Sequence, residues 1–590
     1  MTLEQLGDFL RRERWQEEAD GWENTFLDTG ERVQNHSCLR PLTVQGGSGD
    51  EITLDCPENI ARFREGDLVL VNPDGTPAPA VRQGFEMEWV RFDPARGEVV
   101  LAKSFRTRRD PFPFLPGTRV MLDQAPDSIQ DAIAEMLSFH AADPARRAFL
   151  ESFLAGTLPN RPAEIDRPCR DRVLAAWPLN DGQIEAFDRA LVSYPVSGIQ
   201  GPPGTGKTRV LAALAAYYHL RGMDVLVSSV SHFAINHALN QCAAALAQLG
   251  ESGCVVKASR LKNTGLDRSV LRMPRLKNLG EGRGGPIIAG MTPFKFPREF
   301  RPGDFPVLLF DEASQAAMPL AAAAIAFSKK TIFLGDHRQL GPILHHEHHP
   351  EGASRSAFAH LDAHFQARTT LLTQSYRLGD GLERFSSGAF YGGRLVAHPE
   401  RATASLNLPG GDRLAGDPVL DPKVPSVFVP LAHSGCLKYS EEEASLVAAW
   451  LERLTDAGAK PGQIAVLVPF RGQQNRIRRE VHLLEGRRGW ALRGLVVDTV
   501  DRLQGQERDI VIYSLAMSDP ARLAQIADFF FDPRRLNVAL TRSRFKRIVV
   551  GSLRIFDTRV HPLGALEGLD LLLRFAQENT ASLPNRGVFP

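Results

Sequence analysis

Residues 201–208 read Gly-Pro-Pro-Gly-Thr-Gly-Lys-Thr, the spacing of a phosphate-binding loop. Gly201, Gly204 and Gly206 lack a Cβ, so backbone N–H groups of the loop can turn inward onto phosphate oxygens, with Pro202, Pro203 and Thr205 completing the cradle. Lys207 can reach the β- and γ-phosphates, and Thr208 can offer its hydroxyl to Mg²⁺. Asp311 and Glu312 close the apolar run Val307-Leu-Leu-Phe310. An acid pair at the end of a parallel strand suits hydrolysis of a phosphoanhydride, with Asp311 holding the ion and Glu312 orienting and deprotonating the attacking water. Gln339, in Gly335-Asp-His-Arg-Gln-Leu340, is expected to sense the γ-phosphate. Arg377 and Arg542 are expected to stabilise charge on the transferred phosphoryl group from a facing domain. Gln183, in Leu179-Asn-Asp-Gly-Gln183, can pair its amide with adenine N6 and N7. The same run also reads as a helix start capped by Asn180. ATP and Mg²⁺ are the expected cofactors.

These residues need a scaffold that brings them to one edge. Val196–Gln200 reads as a strand before the loop, and Arg209–Tyr218 as a helix after it. Residues 179–345 alternate short apolar strands with helices, the pattern of a parallel sheet covered by helices. Within them, 240–285 reads as a basic insertion carrying Lys257, Arg260, Arg268 and Arg272. Residues 346–570 form a second alternating set with no phosphate loop of their own, which places ATP between two α/β units. Ahead of both, residues 51–123 show strand-like runs separated by turns and predict a small antiparallel barrel. Its exit, Lys103–Arg109 with Phe112 and Phe114, mixes cations and aromatics that can hold a single strand; a solvated loop is the equal alternative. Residues 1–50 begin with a helix over Leu3–Asp20, with Leu3, Leu6, Phe9, Leu10 and Trp15 on one face, and continue as irregular chain. Residues 124–178 read as a pair of connecting helices, and 571–590 as a tail.

Composition narrows the class. The chain has 590 residues, 43% apolar and 24% charged, consistent with several globular domains. No apolar run is long enough to span a membrane, and the first ten residues are not basic-then-apolar as in a signal peptide. The six cysteines form no C-x-x-C pair, which argues against structural zinc or an iron–sulfur cluster and fits a reducing cytoplasm. With a net charge of +1, any nucleic-acid contact must come from local patches. The run His345-His-Glu-His-His349 reads as a solvated loop rather than a metal site, because Gly341-Pro342 and Pro350 break a helix there.

Taken in order, Leu179–Gln183, Gly201–Thr208, Asp311–Gln315, Gly335–Leu340, Tyr376-Arg377, Val468–Gln473, Val500–Glu507 and Arg534–Arg544 resemble the Up-frameshift-like, senataxin-like group of superfamily 1 helicases. The resemblance covers roughly residues 179–552. It implies an α/β protein of two tandem RecA-like parallel-sheet domains, with an N-terminal small β-barrel and a short basic insertion. It also implies ATP in the cleft, single-stranded nucleic acid across the top, and 5′-to-3′ movement. By match, Tyr376 would stack on adenine, Arg377 and Arg542 would touch the γ-phosphate, and Glu507 the ribose. Ser231, Thr292, Pro469 and Thr499 would grip the strand. This sequence departs from the family at an additional Ser in Gln374-Ser-Tyr-Arg-Leu378 and at Gln506, where a basic residue is common. The expected function is an ATP-dependent translocase or helicase on DNA or RNA. The alternative is a nucleic-acid-stimulated ATPase switch that gates a partner such as a nuclease.

Overall fold

The computed structural model describes the chain except for residues 35–36, 57–60, 62, 64–66, 78–79, 94–95, 105–106, 108, 126–128, 252–253, 260–264, 274–275, 277–284, 301–302, 304, 345–351, 504–505 and 581–590. The His345–His349 run and much of the Lys103–Arg109 and 260–285 stretches therefore lie outside the described residues.

Six antiparallel strands close a barrel in the order β1-β2-β5-β4-β3-β6. They are β1 (Cys38–Ser48), β2 (Glu51–Asp55), β3 (Leu68–Pro73), β4 (Phe85–Asp93), β5 (Glu98–Lys103) and β6 (Arg119–Gln124). Val69, Val71, Met87, Trp89, Val99 and Leu101 fill the interior, as alternation along half-buried strands requires. The barrel begins earlier than the sequence indicated. Residues 38–48, read as irregular, form the strand that pairs with both β2 and β6 and closes the sheet. Phe112 and Phe114 pack edge-on in series with Phe85, at 5.6 and 5.4 Å between centroids, so these rings are engaged with the barrel rather than presented as free stacking platforms.

The N-terminal helix runs Leu3–Phe26. Leu6, Phe9 and Leu10 bury one face against helices Ile129–Ala141 and Pro144–Leu154. Trp15, placed on that face by the sequence reading, is 64% exposed: at about 100° per residue it falls on the opposite side. Three helices, not two, fill the connecting stretch, the third being Arg167–Ala176.

The first α/β unit is an eight-stranded sheet, all parallel, ordered β10-β9-β11-β8-β12-β13-β7-β14. Its members are β7 (Val196–Gln200), β8 (Val225–Ser228), β9 (Cys254–Ala258), β10 (Leu271–Met273), β11 (Ile287–Met291), β12 (Phe305–Phe310), β13 (Ser328–Gly335) and β14 (Thr369–Leu371). Every residue of β7, β8 and β11 is buried, as expected for strands covered on both faces. Two expectations are corrected here. The stretch 240–285 is not simply an insertion: it completes helix His232–Gln248 and supplies β9 and β10, with Lys257 buried in the sheet. The first sheet also extends past residue 345, because β14 pairs with β7.

A two-stranded pair, β15 (Gln374–Ser375) and β16 (Val396–Ala397), precedes the second unit. That unit is a five-stranded parallel sheet ordered β17-β21-β20-β18-β19. Its strands are β17 (Ser426–Leu431), β18 (Ile464–Val468), β19 (Val496–Thr499), β20 (Arg508–Ser514) and β21 (Ser543–Ser552). The chain after Asp570 is more than a tail: helix Leu563–Asn579 buries Leu571, Leu572 and Phe575 against this unit.

Candidate functional site

The chemistry collects where parallel strands end. The phosphate loop follows β7, Asp311 follows β12, and Asp336–Gln339 follows β13. In open α/β sheets this carboxyl edge is where ligands sit. Gly204 and Gly206 have φ of +73° and +78°, a region closed to most side chains. A Cβ on Gly204 would lie 2.3 Å from Cβ of Arg377, so the loop is also packed directly against that residue. Helix Lys207–Leu220 starts at the end of the loop and aims its first N–H groups at the cradle.

Lys207 Nζ donates to Glu312 Oε1 at 2.6 Å and lies 2.9 Å from Asp311 Oδ1. Burial alone would lower the ammonium, but the two carboxylates outweigh it and hold Lys207 above its ordinary value. Asp311 is pushed up by burial, whereas for Glu312 the nearby Lys207 overrides burial and brings it down. Glu312 takes a left-handed backbone, φ +53°, a strained geometry for a side-chain-bearing residue and one found at functional sites. It is fixed there by its own N–H donating to Asp311 Oδ1 at 2.9 Å and by Gln315 Nε2 donating to Glu312 Oε2 at 3.2 Å. Thr208 and Asp311 offer hydroxyl and carboxylate oxygens, a donor set that suits a hard divalent cation.

Arg542, 2% exposed, donates from Nη2 to Gln339 Oε1 at 2.7 Å. Burial, with Arg377 nearby, lowers its guanidinium to about 9. Gln339 in turn donates to Asp336 Oδ2 at 3.0 Å. Arg377 donates from Nε to Glu507 Oε2 at 2.5 Å, so the residues matched to γ-phosphate and ribose are paired with each other. Gln183 is 2% exposed and its amide is committed. It closes a capping box with Asn180, and its Nε2 donates to Thr205 O at 2.9 Å. The structure thus places Gln183 as a brace under the loop. Asn180 Nδ2 donates to the Tyr376 hydroxyl at 2.7 Å, and the Tyr376 ring stacks on His398 with centroids 4.5 Å apart. The additional Ser375 is fully buried. Its Oγ donates to Pro203 O at 2.9 Å and accepts from the N–H groups of Arg377 and Leu378, welding the loop to the arginine segment.

One cleft of about 2420 Å³ joins Gly201–Arg209, Asp311, Glu312, Gln339, Tyr376, Arg377, Glu507 and Arg542 to Ser231, Pro469 and Thr499. Ser231 caps helix His232–Gln248 after β8 of the first sheet, whereas Pro469 follows β18 and Thr499 ends β19 of the second, so each of these strand-gripping candidates sits at the carboxyl edge of its own sheet, on the shared cleft. Thr292 follows β11 but is buried and does not line the cleft. The sequence reading did not single out Gln200, Asp336, Tyr391 and Asn537, which connect the two units behind Gln339. Asp336 lay inside a quoted run, whereas Tyr391 carried no local signal.

One phosphate loop served by two parallel-sheet units is the architecture of a P-loop nucleotide-binding protein with two RecA-like halves. Family models described as AAA domains match residues 178–395 and 353–554. The chain is 29% identical over 484 residues to Regulator of nonsense transcripts 1 of Dictyostelium discoideum, covering 73% of this chain and 35% of that protein. It is 30% identical over 429 residues to the DNA replication ATP-dependent helicase/nuclease DNA2 of Mus musculus, covering 66% of this chain and 38% of that protein. The chain therefore spans little more than a third of the length of these relatives. Among solved structures, the helicase nonstructural protein 10 of an arterivirus aligns over 89% of this chain and 80% of its own, at 17% identity and a TM-score of 0.38. The two family-model matches and these relatives support the resemblance to superfamily 1 helicases of the Up-frameshift-like group.

Proposed function

We propose that this chain hydrolyses ATP in the cleft between its two α/β units and uses the cycle to move, 5′ to 3′, along single-stranded nucleic acid as a helicase. The observation that carries the reading is the placement of Lys207, Asp311 and Glu312 on one unit and Arg542 on the other, within a cleft that continues to Ser231, Pro469 and Thr499. The loop N–H groups and Lys207 bind the phosphates. Mg²⁺, held by Thr208 and Asp311, would supply charge neutralisation on the β- and γ-oxygens. Glu312 orients water and takes its proton. Arg542 and Arg377 stabilise the charge that spreads over the transferred phosphoryl group, and Gln339 reports its presence to the strand-binding side. In this reading Tyr376 takes adenine, and Glu507 takes ribose once Arg377 turns to phosphate.

The strand-binding end of the cleft supports a single strand. Phe233 is 56% and Phe529 39% exposed along it, and Arg471 and Arg502 line its wall. Exposed rings suit stacked bases and cations suit a phosphodiester backbone. The test measures phosphate release with and without matched DNA and RNA oligonucleotides, then unwinding of duplexes with a 5′ or a 3′ tail. Strand-stimulated hydrolysis and opening of the 5′-tailed duplex are expected. Hydrolysis indifferent to both strands would overturn the reading, and opening of only the 3′-tailed duplex would reverse the direction.

A further inference from the structure

Behind Gln339 the two units are joined through one carboxylate. Asp336, 2% exposed at the end of β13, accepts hydrogen bonds on both oxygens. Oδ1 takes Gln200 Nε2 at 3.0 Å and the Arg338 N–H at 3.2 Å. Oδ2 takes Gln339 Nε2 at 3.0 Å and the Tyr391 hydroxyl at 2.7 Å. Gln200 is the last residue of the phosphate-loop strand, so the first two functional segments already meet at this group. Tyr391 caps the C-terminus of helix Asp380–Phe390, which follows Arg377. Its hydroxyl also accepts from Asn537 Nδ2 at 2.9 Å, and Asn537 Nδ2 lies 2.7 Å from Arg338 O. Asn537 belongs to helix Pro533–Leu540, which leads directly into Arg542. The Tyr391 ring is 3% exposed and Asn537 is fully buried, so water does not compete for these bonds.

We infer that Asp336 and Tyr391 are positioning residues for hydrolysis: the Tyr391 hydroxyl, supplied beside the Arg542 helix, fixes the Asp336 carboxylate, which aims Gln339 at the site and ties it to the end of the phosphate-loop strand. Neither residue lines the cleft. Their effect is to keep the Gln339–Arg542 bond registered to the loop, so that the arginine arrives where charge develops. Gln339 has one amide, and that amide spans the gap: its Nε2 is held by Asp336 while its Oε1 receives Arg542. With the Tyr391 bond gone, Asp336 loses its link to the second unit and the amide loses its fixed orientation.

The inference rests on the ATPase reading above, and wild-type protein in the same assay separates the two. Absence of strand-stimulated hydrolysis in wild type sinks that reading and this one with it. With wild type active, Tyr391→Phe keeps the ring and removes only the hydroxyl. The expected result is a fall in kcat of about tenfold, the loss of one hydrogen bond to a charged group, with KM for ATP within about twofold. A kcat near wild type, or a rise in KM that matches the loss in kcat, overturns the inference in favour of a purely structural role. A double-mutant cycle sharpens it. Gln339→Ala combined with Tyr391→Phe should be no slower than Gln339→Ala alone, because both act through one amide. Multiplicative losses would overturn the shared route. Should Tyr391→Phe fold poorly, Gln200→Met removes the other side of the Asp336 network and is expected to show the same kcat-only loss; an unchanged kcat there counts against the inference equally.

Discussion

Replacing Glu312 by Gln tests the chemical assignment most directly, because it removes a charge and almost nothing else. In the wild-type cleft the Glu312 carboxylate accepts from Lys207 Nζ at 2.6 Å and from Gln315 Nε2 at 3.2 Å. Lys207 keeps its second partner, Asp311 at 2.9 Å, after the change. The amide carbonyl can still accept from Lys207, so the fold should lose no more than about 1–2 kcal/mol, the worth of one weakened charged hydrogen bond. Binding of ATP should hold or tighten, because one of the two negative charges facing the phosphates is gone and Lys207 is easier to recruit. The turnover is different. A positioned general base contributes about 10²–10⁴-fold, or about 2.7–5.4 kcal/mol of barrier, and an amide cannot take the proton. The assay is phosphate release at saturating ATP and saturating single strand, with the ATP dissociation constant measured separately by titration of a fluorescent analogue. A kcat within about threefold of wild type, with binding intact, would refute the reasoning and move the base elsewhere.

Ser375→Ala should destabilise the protein by about 1–3 kcal/mol and raise KM for ATP, because Pro203 O loses its buried donor and the Arg377 and Leu378 N–H groups lose their acceptor; thermal melting and steady-state kinetics read both. Arg542→Ala should lower kcat with KM for ATP little changed, whereas Arg377→Ala should raise KM as well, because the Arg377 backbone is anchored against the loop and its guanidinium stays beside the phosphates whatever the position of the second unit; equal effects on both constants in the two variants would refute the distinction. Burial holds His140 and His360 down at about 4 in the folded protein, against an ordinary value of 6.5. The unfolded chain therefore binds more protons between these values, and stability present above pH 6.5 should fall as the pH drops toward 4, by up to about 3 kcal/mol for each group. Urea melts across that window check it, and a flat profile in the wild type would refute it.

What the sequence disclosed follows a physical line. Strands of the parallel sheets were legible because residues covered on both faces must be apolar, as in Val307-Leu-Leu-Phe310 and Ile464–Val468. The loop and the acid pair were legible because phosphate chemistry demands fixed local spacing. Three of the missed strands had a local reason. β1 carries Pro41, Gly46 and Gly47, which read as breakers; β9 contains Lys257; and β14 is only Thr369–Leu371, defined by its pairing with β7. Trp15 is apolar yet exposed, because helical angle and not apolar character decides which side of the N-terminal helix is covered. The contacts behind Gln339 were not legible at all. Asp336 and Tyr391 are 55 residues apart, and Asn537 lies 146 residues beyond Tyr391, so no local pattern could pair them.

The two arginines also divide differently from the sequence expectation that both reach in from the second unit. Arg377 follows β15, and the Tyr376 N–H donates to Gly204 O at 2.8 Å while Ser375 Oγ holds Pro203 O. Three residues earlier the chain is still bound to the first sheet, with the Leu372 N–H donating to Gln200 O at 2.9 Å. The Arg377 backbone is thus anchored to the loop it serves. Arg542 has no such anchor: it precedes β21 of the second sheet and meets the first unit through Gln339. A relative movement of the units would separate Arg542 from Gln339, and Arg377 from Glu507, but would leave Arg377 beside the phosphates. Closure can then be sensed by one arginine only. Arg542 is the group whose position depends on the second unit, so under the proposed function the rate of the chemical step would follow the angle between the sheets, the coupling a motor on a strand requires.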